Sequence, residues 1–141
     1  MRIIIALTLF IIFLAIAVIH IYWAFDGKWG SKSVIPVKSD DTKVIMPGVL
    51  PTLAVAAGLL AFSLLVIVKG GLWSVALPAW LERYGLYIIA GIFIIRAVGD
   101  FRYVGFFKTY RQTTFGKNDT RLYSPLCLGI GILAILLSYS G

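Results

Sequence analysis

Arg96 and Asp100 stand four residues apart in an otherwise apolar stretch. On a helix that spacing puts both side chains on one face, one turn apart, where they can form an ion pair. Tyr103 continues that face three residues later, and Arg102 adds a second cation beside it. If the helix leaves the hydrocarbon near Phe107, Arg96 lies about 16 Å inside at 1.5 Å per residue. An unpaired charge at such depth costs roughly 2.5–3.5 kcal/mol on insertion scales. Two readings follow. In one, Arg96 and Arg102 hold an anionic group in a polar pocket and Asp100 carries a proton. In the other, Arg96 and Asp100 are a buried pair that fixes helix register, while Arg102 reaches the interface.

The remaining chemistry-bearing residues are few. His20 is the sole histidine, followed closely by Tyr22 and Trp23. It is either a proton acceptor or ligand, or an interfacial imidazole bonded to a tyrosine, an aspartate or a backbone carbonyl. Asp119, with Thr120 and Arg121 after it, is a further polar candidate, or only the N-cap of the helix that follows. One histidine and one cysteine, Cys127, leave too few ligands for a metal site or a haem, so no metal and no cofactor is expected. No nucleophile elbow, phosphate loop or zinc signature is present, and a catalytic residue is not identifiable.

The elements that must position these residues are apolar blocks. The chain has 141 residues, of which 60% are hydrophobic and 13% charged, far from the roughly 45–50% and ~25% of soluble domains. Blocks over 3–25, 50–68, 84–107 and 122–139 approach the ~20 residues that span a bilayer. The expected fold is therefore an all-α integral membrane protein, a single domain over 1–141 built as a four-helix transmembrane bundle. The first block is longer than the usual ~7–15-residue apolar core of a signal peptide and is read as a retained helix. Ala54 and Gly58, then Ala57 and Ala61, place small side chains on one face of the second span, which is expected to pack against a neighbouring helix. Residues 26–47, with four lysines, three aspartates and two prolines, form a polar connector. Trp73, Pro78 and Trp80 suggest an interfacial aromatic belt before the third span.

Charge sets the expected orientation. With four spans, the connector at 26–47 and the turn at 108–121 share one side and carry eight lysines and arginines (Lys28, Lys32, Lys38, Lys43, Lys108, Arg111, Lys117, Arg121), against three (Arg2, Lys69, Arg83) on the other. The eight-charge side is expected to be cytoplasmic and both termini outside, in a plasma membrane. The net charge of +7 thus belongs to topology and lipid headgroups, and nucleic acid is not an expected partner. Alternation of spans brings His20, Tyr22, Trp23, Asp100, Arg102, Tyr103, Asp119 and Arg121 to a similar level, with Arg96 deeper.

The run His20 to Phe25 with Lys28-Trp29-Gly30 and Val34-Ile35-Pro36, the run Arg96 to Lys108, and the run Asp119 to Leu126 resemble small bacterial membrane proteins grouped as domain of unknown function 3995. The resemblance covers nearly the whole chain and implies four helices in a bacterial plasma membrane, but no activity. The expected function is binding or transport of a small anionic or amphiphilic molecule or lipid through a cytoplasm-facing polar pocket, with membrane lipids as partners and a homo-oligomer allowed. The alternatives are a membrane-embedded enzyme acting on a lipid or quinone, with His20 or Asp100 as base, and an accessory subunit of a membrane complex.

Overall fold

The computed structural model describes residues 1–43 and 45–141; Val44, within the connector expected over 26–47, lies outside the described residues. Every regular element among the described residues is helical: α1 (Arg2–Ala24), α2 (Ser31–Val34), α3 (Val49–Lys69), α4 (Ala79–Val98), α5 (Thr114–Asn118), a π-helical turn (Asp119–Tyr123) and α6 (Ser124–Tyr139). The chain divides into two compact units. One comprises Met1–Gly27, Gly48–Ala90 and Ile132–Gly141, the other Lys28–Pro47 and Gly91–Gly131.

The first unit is built on α1 and α3, whose buried residues recur at helical spacing. Leu9, Phe13 and Ala17 form the stripe on α1, and Thr52, Ala56, Leu59, Ser63 and Val66 that on α3. The two helices run antiparallel, because the Arg2 guanidinium at the start of α1 donates to the Lys69 carbonyl at the end of α3, at 2.8 Å from Nε and 2.5 Å from Nη2. Phe13 meets Phe62 at 5.8 Å between ring centroids. The α3 face in contact is not the expected one. Ala54, Ala57 and Ala61 are exposed and Gly58 has open space beside it. The buried stripe instead runs along Thr52, Ala56, Leu59, Ser63 and Val66.

The long helices keep bulky apolar residues on their outer surfaces: Ile4, Ile11 and Val18 on α1, Leu50 and Leu64 on α3, Ile92 and Ile95 on α4, Ile132 and Leu136 on α6. Such continuous apolar surface suits hydrocarbon and would be a liability in water. Among the described residues, three helical stretches are long and apolar enough to cross a membrane: Arg2–Ala24, Val49–Lys69 and Thr114–Tyr139. The remaining long helix, α4, has 20 residues and carries Glu82 in its first turn and Arg96 in its last.

Two boundaries differ from those expected. The third span was expected over 84–107, but α4 occupies Ala79–Val98 and the chain beyond it is not helical. Gly99, at φ +85°, and Gly105, at φ +89°, turn the backbone back on itself so closely that a Cβ at either would strike backbone of the other's segment. Only glycine adopts that conformation at no steric cost. The Phe106 N–H donates to the Ala97 carbonyl at 2.8 Å, which seals the reversal. The fourth helix was expected from 122, yet helical structure begins at Thr114 and continues to Tyr139. Within it the Ser124 N–H bonds to the Asp119 carbonyl, five residues back. Pro125 follows immediately, and the widened turn relieves the clash its ring would make with the carbonyl four residues earlier.

Candidate functional site

The second unit gathers an ion cluster around Asp119. This aspartate stands at the start of the π-turn, and its side chain has no exposed surface. Its Oδ1 accepts from Arg96 Nη2 at 3.0 Å. Its Oδ2 accepts from Lys108 Nζ at 3.0 Å and from the Gly105 N–H at 2.8 Å. Arg96 comes from the last turn of α4, and Gly105 and Lys108 from the reversal that follows. The last two are thus delivered by the loop geometry that Gly99 and Gly105 impose.

Lys108 is as fully enclosed as its partner. Its ammonium donates to Asp119, to the Gly105 carbonyl at 2.9 Å and to Thr120 Oγ1 at 2.6 Å, so all three N–H groups have acceptors. A buried ammonium is tolerable only when it is satisfied in this way. Thr120 Oγ1 donates onward to the Gly116 carbonyl at 3.2 Å. The cluster holds two cations against one carboxylate. Among the described residues of this unit, two side-chain polar atoms are buried with no hydrogen-bond partner, Arg96 Nη1 and Ser124 Oγ. The Arg96 side chain retains 33% exposure, which leaves a way in from outside.

The sequence-level pairing of Arg96 with Asp100 is replaced. Arg96 bonds to Asp119, and Asp100 lies two residues beyond the end of α4 with its carboxylate turned to its own loop. Its Oδ1 accepts from the N–H groups of Arg102 at 2.9 Å, Tyr103 at 2.8 Å and Val104 at 3.0 Å. Burial works against ionisation there, but these donors outweigh it and hold the carboxyl below its ordinary range. The physical reason for the change of partner is the early end of α4: the helical i, i+4 geometry is gone at residue 100. Likewise Asp119 is not the N-cap. Thr113 is, its Oγ1 accepting from the Gly116 N–H at 2.9 Å.

The other candidates make contacts of their own. Arg102 and Arg121 are exposed. Tyr103 stacks on Tyr110, with ring centroids 5.1 Å apart and 21° between planes. His20, Tyr22 and Trp23 belong to the first unit. The His20 Nδ1–H donates to the Ile16 carbonyl at 2.8 Å within α1, and its ring meets the Trp23 ring edge-on at 5.3 Å. The structure therefore brings Arg96 and Asp119 together and adds Lys108, Gly105 and Thr120. Sequence reasoning counted Lys108 only as a loop cation. The signal that could have found it is the pair of glycines bracketing 99–105, which marks a tight reversal rather than helix. Among the described residues, no three of histidine, cysteine, aspartate and glutamate converge as metal ligands would.

Among the described residues, an all-helical fold with long, outward apolar surfaces is that of a membrane protein. The family model for the proteins of unknown function called DUF3995 matches residues 13–134, and the chain belongs to that family. No curated protein and no solved structure matches it.

Proposed function

We propose that the protein crosses the membrane four times and binds a small anionic or anionic-headed amphiphile at the Arg96–Lys108–Asp119 cluster. The observation that carries the reading is Arg96 Nη1, a buried guanidinium donor with no acceptor in a group of two cations and one carboxylate. Guanidinium can only donate, so the missing partner is an acceptor, and the surplus positive charge favours a negative one. Ser124 Oγ, also buried and unsatisfied, supplies a second polar atom in the same unit.

Four crossings are supported by one hydrogen-bond pair. Asp40 accepts from the Thr114 N–H at 2.8 Å and from Thr114 Oγ1 at 3.1 Å. Asp40 precedes α3 and Thr114 follows α4. If α3 crosses, only a return crossing by α4 brings residue 114 back beside residue 40. At 1.5 Å per residue its 20 residues reach about 30 Å. Arg96 then sits two residues from the helix end, at the interface rather than deep in hydrocarbon. By the charge count this end faces the cytoplasm.

Thermal unfolding of the detergent-solubilised protein with decyl phosphate, decanoate or decanol tests the site. The two anions raise the melting temperature by about 2–4 °C at several times the dissociation constant, decanol does not, and Arg96→Gln removes the effect. Equal shifts from decanol and the anions, or an undiminished shift in Arg96→Gln, would sink the proposal.

A further inference from the structure

The first unit holds a second charged recess, at the end where α1 begins, α3 ends and α4 begins. A cavity of about 270 Å³ there is lined by Arg2, Lys69 and Glu82, with Val68, Val75 and Leu77 as apolar wall. Among the described residues neither cation is in a salt bridge, and Gly141 lies beside the Arg2 guanidinium. Arg2 donates through Nε and Nη2 to the Lys69 carbonyl, which leaves its Nη1 donors over. Lys69 Nζ donates to the Glu82 carbonyl at 3.0 Å. Both head groups are thus fixed by backbone oxygens while their charge stays available. The Glu82 side chain supplies a carboxylate at the start of α4. Trp73, Trp80 and Tyr84 are exposed on the same segment, and Arg83 lies over the Tyr84 ring at 5.5 Å. Exposed tryptophan and tyrosine of this kind mark headgroup level.

We infer that this recess binds a zwitterionic phosphate–ammonium headgroup of the phosphoethanolamine type. Arg2 and Lys69 take the phosphate, Glu82 takes the primary ammonium, and the valine and leucine side chains meet the glycerol and first methylenes. The signs match: two cations for the anionic end and one carboxylate for the cationic end. A primary ammonium donates three hydrogen bonds to a carboxylate and its surroundings, whereas a trimethylammonium donates none, so the recess distinguishes ethanolamine from choline.

Native mass spectrometry of the full chain in detergent, with phosphatidylethanolamine and phosphatidylcholine of identical acyl chains, tests this. The wild type retains the ethanolamine lipid about tenfold over the choline lipid, the discrimination expected of a hydrogen bond to a charged group. Glu82→Gln equalises the two, while Lys69→Gln weakens both together and Lys69→Arg restores them. Free phosphoethanolamine separates the sources: displacement of the lipid by it at equal concentration assigns the recess to the soluble compound, and lack of displacement to the lipid. Equal retention of both lipids by the wild type, or a preference that survives in Glu82→Gln, overturns the inference. Because Glu82 and Lys69 are outside the Asp119 cluster, either result is independent of the decyl phosphate experiment.

Discussion

Removing the charge of Asp119 strands Lys108. The lysine has no exposed surface, and its remaining acceptors, the Gly105 carbonyl and Thr120 Oγ1, are neutral. Breaking one side of a buried pair leaves an uncompensated charge and costs about 3–5 kcal/mol, whereas replacing both partners by apolar groups is often near neutral. Asp119→Asn should therefore lower the melting temperature sharply, and Asp119→Asn combined with Lys108→Met should recover part of the loss. A double-mutant cycle by thermal unfolding in detergent measures the coupling; additive losses would show that the two residues do not act as a unit. Neither partner of Asp119 was legible in the sequence. Helical spacing assigned Arg96 to Asp100, the nearest residue on its face, because spacing carries no information about where a helix stops. The aspartate that does receive Arg96 lies 23 residues on, across a reversal.

The elements explain why. The long apolar stretches were legible because their length and hydropathy are properties of sequence alone. Those forming α1 and α3 fall within two residues of the expected bounds. The ends of α4 and the start of the last helix were not, since they depend on caps and reversals: Gly99 and Gly105 on one side, Thr113 as N-cap on the other. The connector was expected to be polar, and the structure gives it a specific attachment, Asp40 to Thr114 at the first residue of α5. The Thr114 N–H bond, with Thr114 Oγ1, Lys117 and Lys32 in support, holds the Asp40 carboxyl below its ordinary value of 3.8 despite some desolvation. A carboxyl lowered in the folded state contributes its stabilisation above its unfolded value and loses it as pH falls through the folded one. The tether should thus be intact at neutral pH and release in acid. Hydrogen exchange at the Thr114 amide reads it: wild type is better protected than Asp40→Asn above about pH 4, and the two converge below. Identical protection at pH 7 would show that the carboxylate does not hold the element.

For the molecule as a whole, two membrane topologies share every apolar stretch, and the Asp40–Thr114 pair favours the proposed four crossings. With crossings by α1, α3 and the Thr114–Tyr139 helix alone, residues 70–113 lie on the side opposite the connector. With α4 crossing as well, residues 99–113 return to the connector's side and only 70–78 remain opposite. Hydropathy leaves α4 ambiguous, because Glu82, Arg83 and Arg96 interrupt it, yet twelve uncharged residues separate Arg83 from Arg96, and charges at helix ends reach the interface at little cost. Single cysteines at three exposed positions, Ser39→Cys, Ser74→Cys and Gln112→Cys, each in a Cys127→Ala background, resolve the alternatives. In sealed vesicles of one orientation, a membrane-impermeant maleimide should label positions 39 and 112 from the same side and position 74 from the other. Co-labelling of 74 with 112, opposite to 39, would establish three crossings. It would also pull Thr114 away from Asp40, so that the bonds between them could not form. The labelling pattern therefore tests the Asp40–Thr114 tether along with the topology, since residues 40 and 114 can meet only if α4 returns the chain.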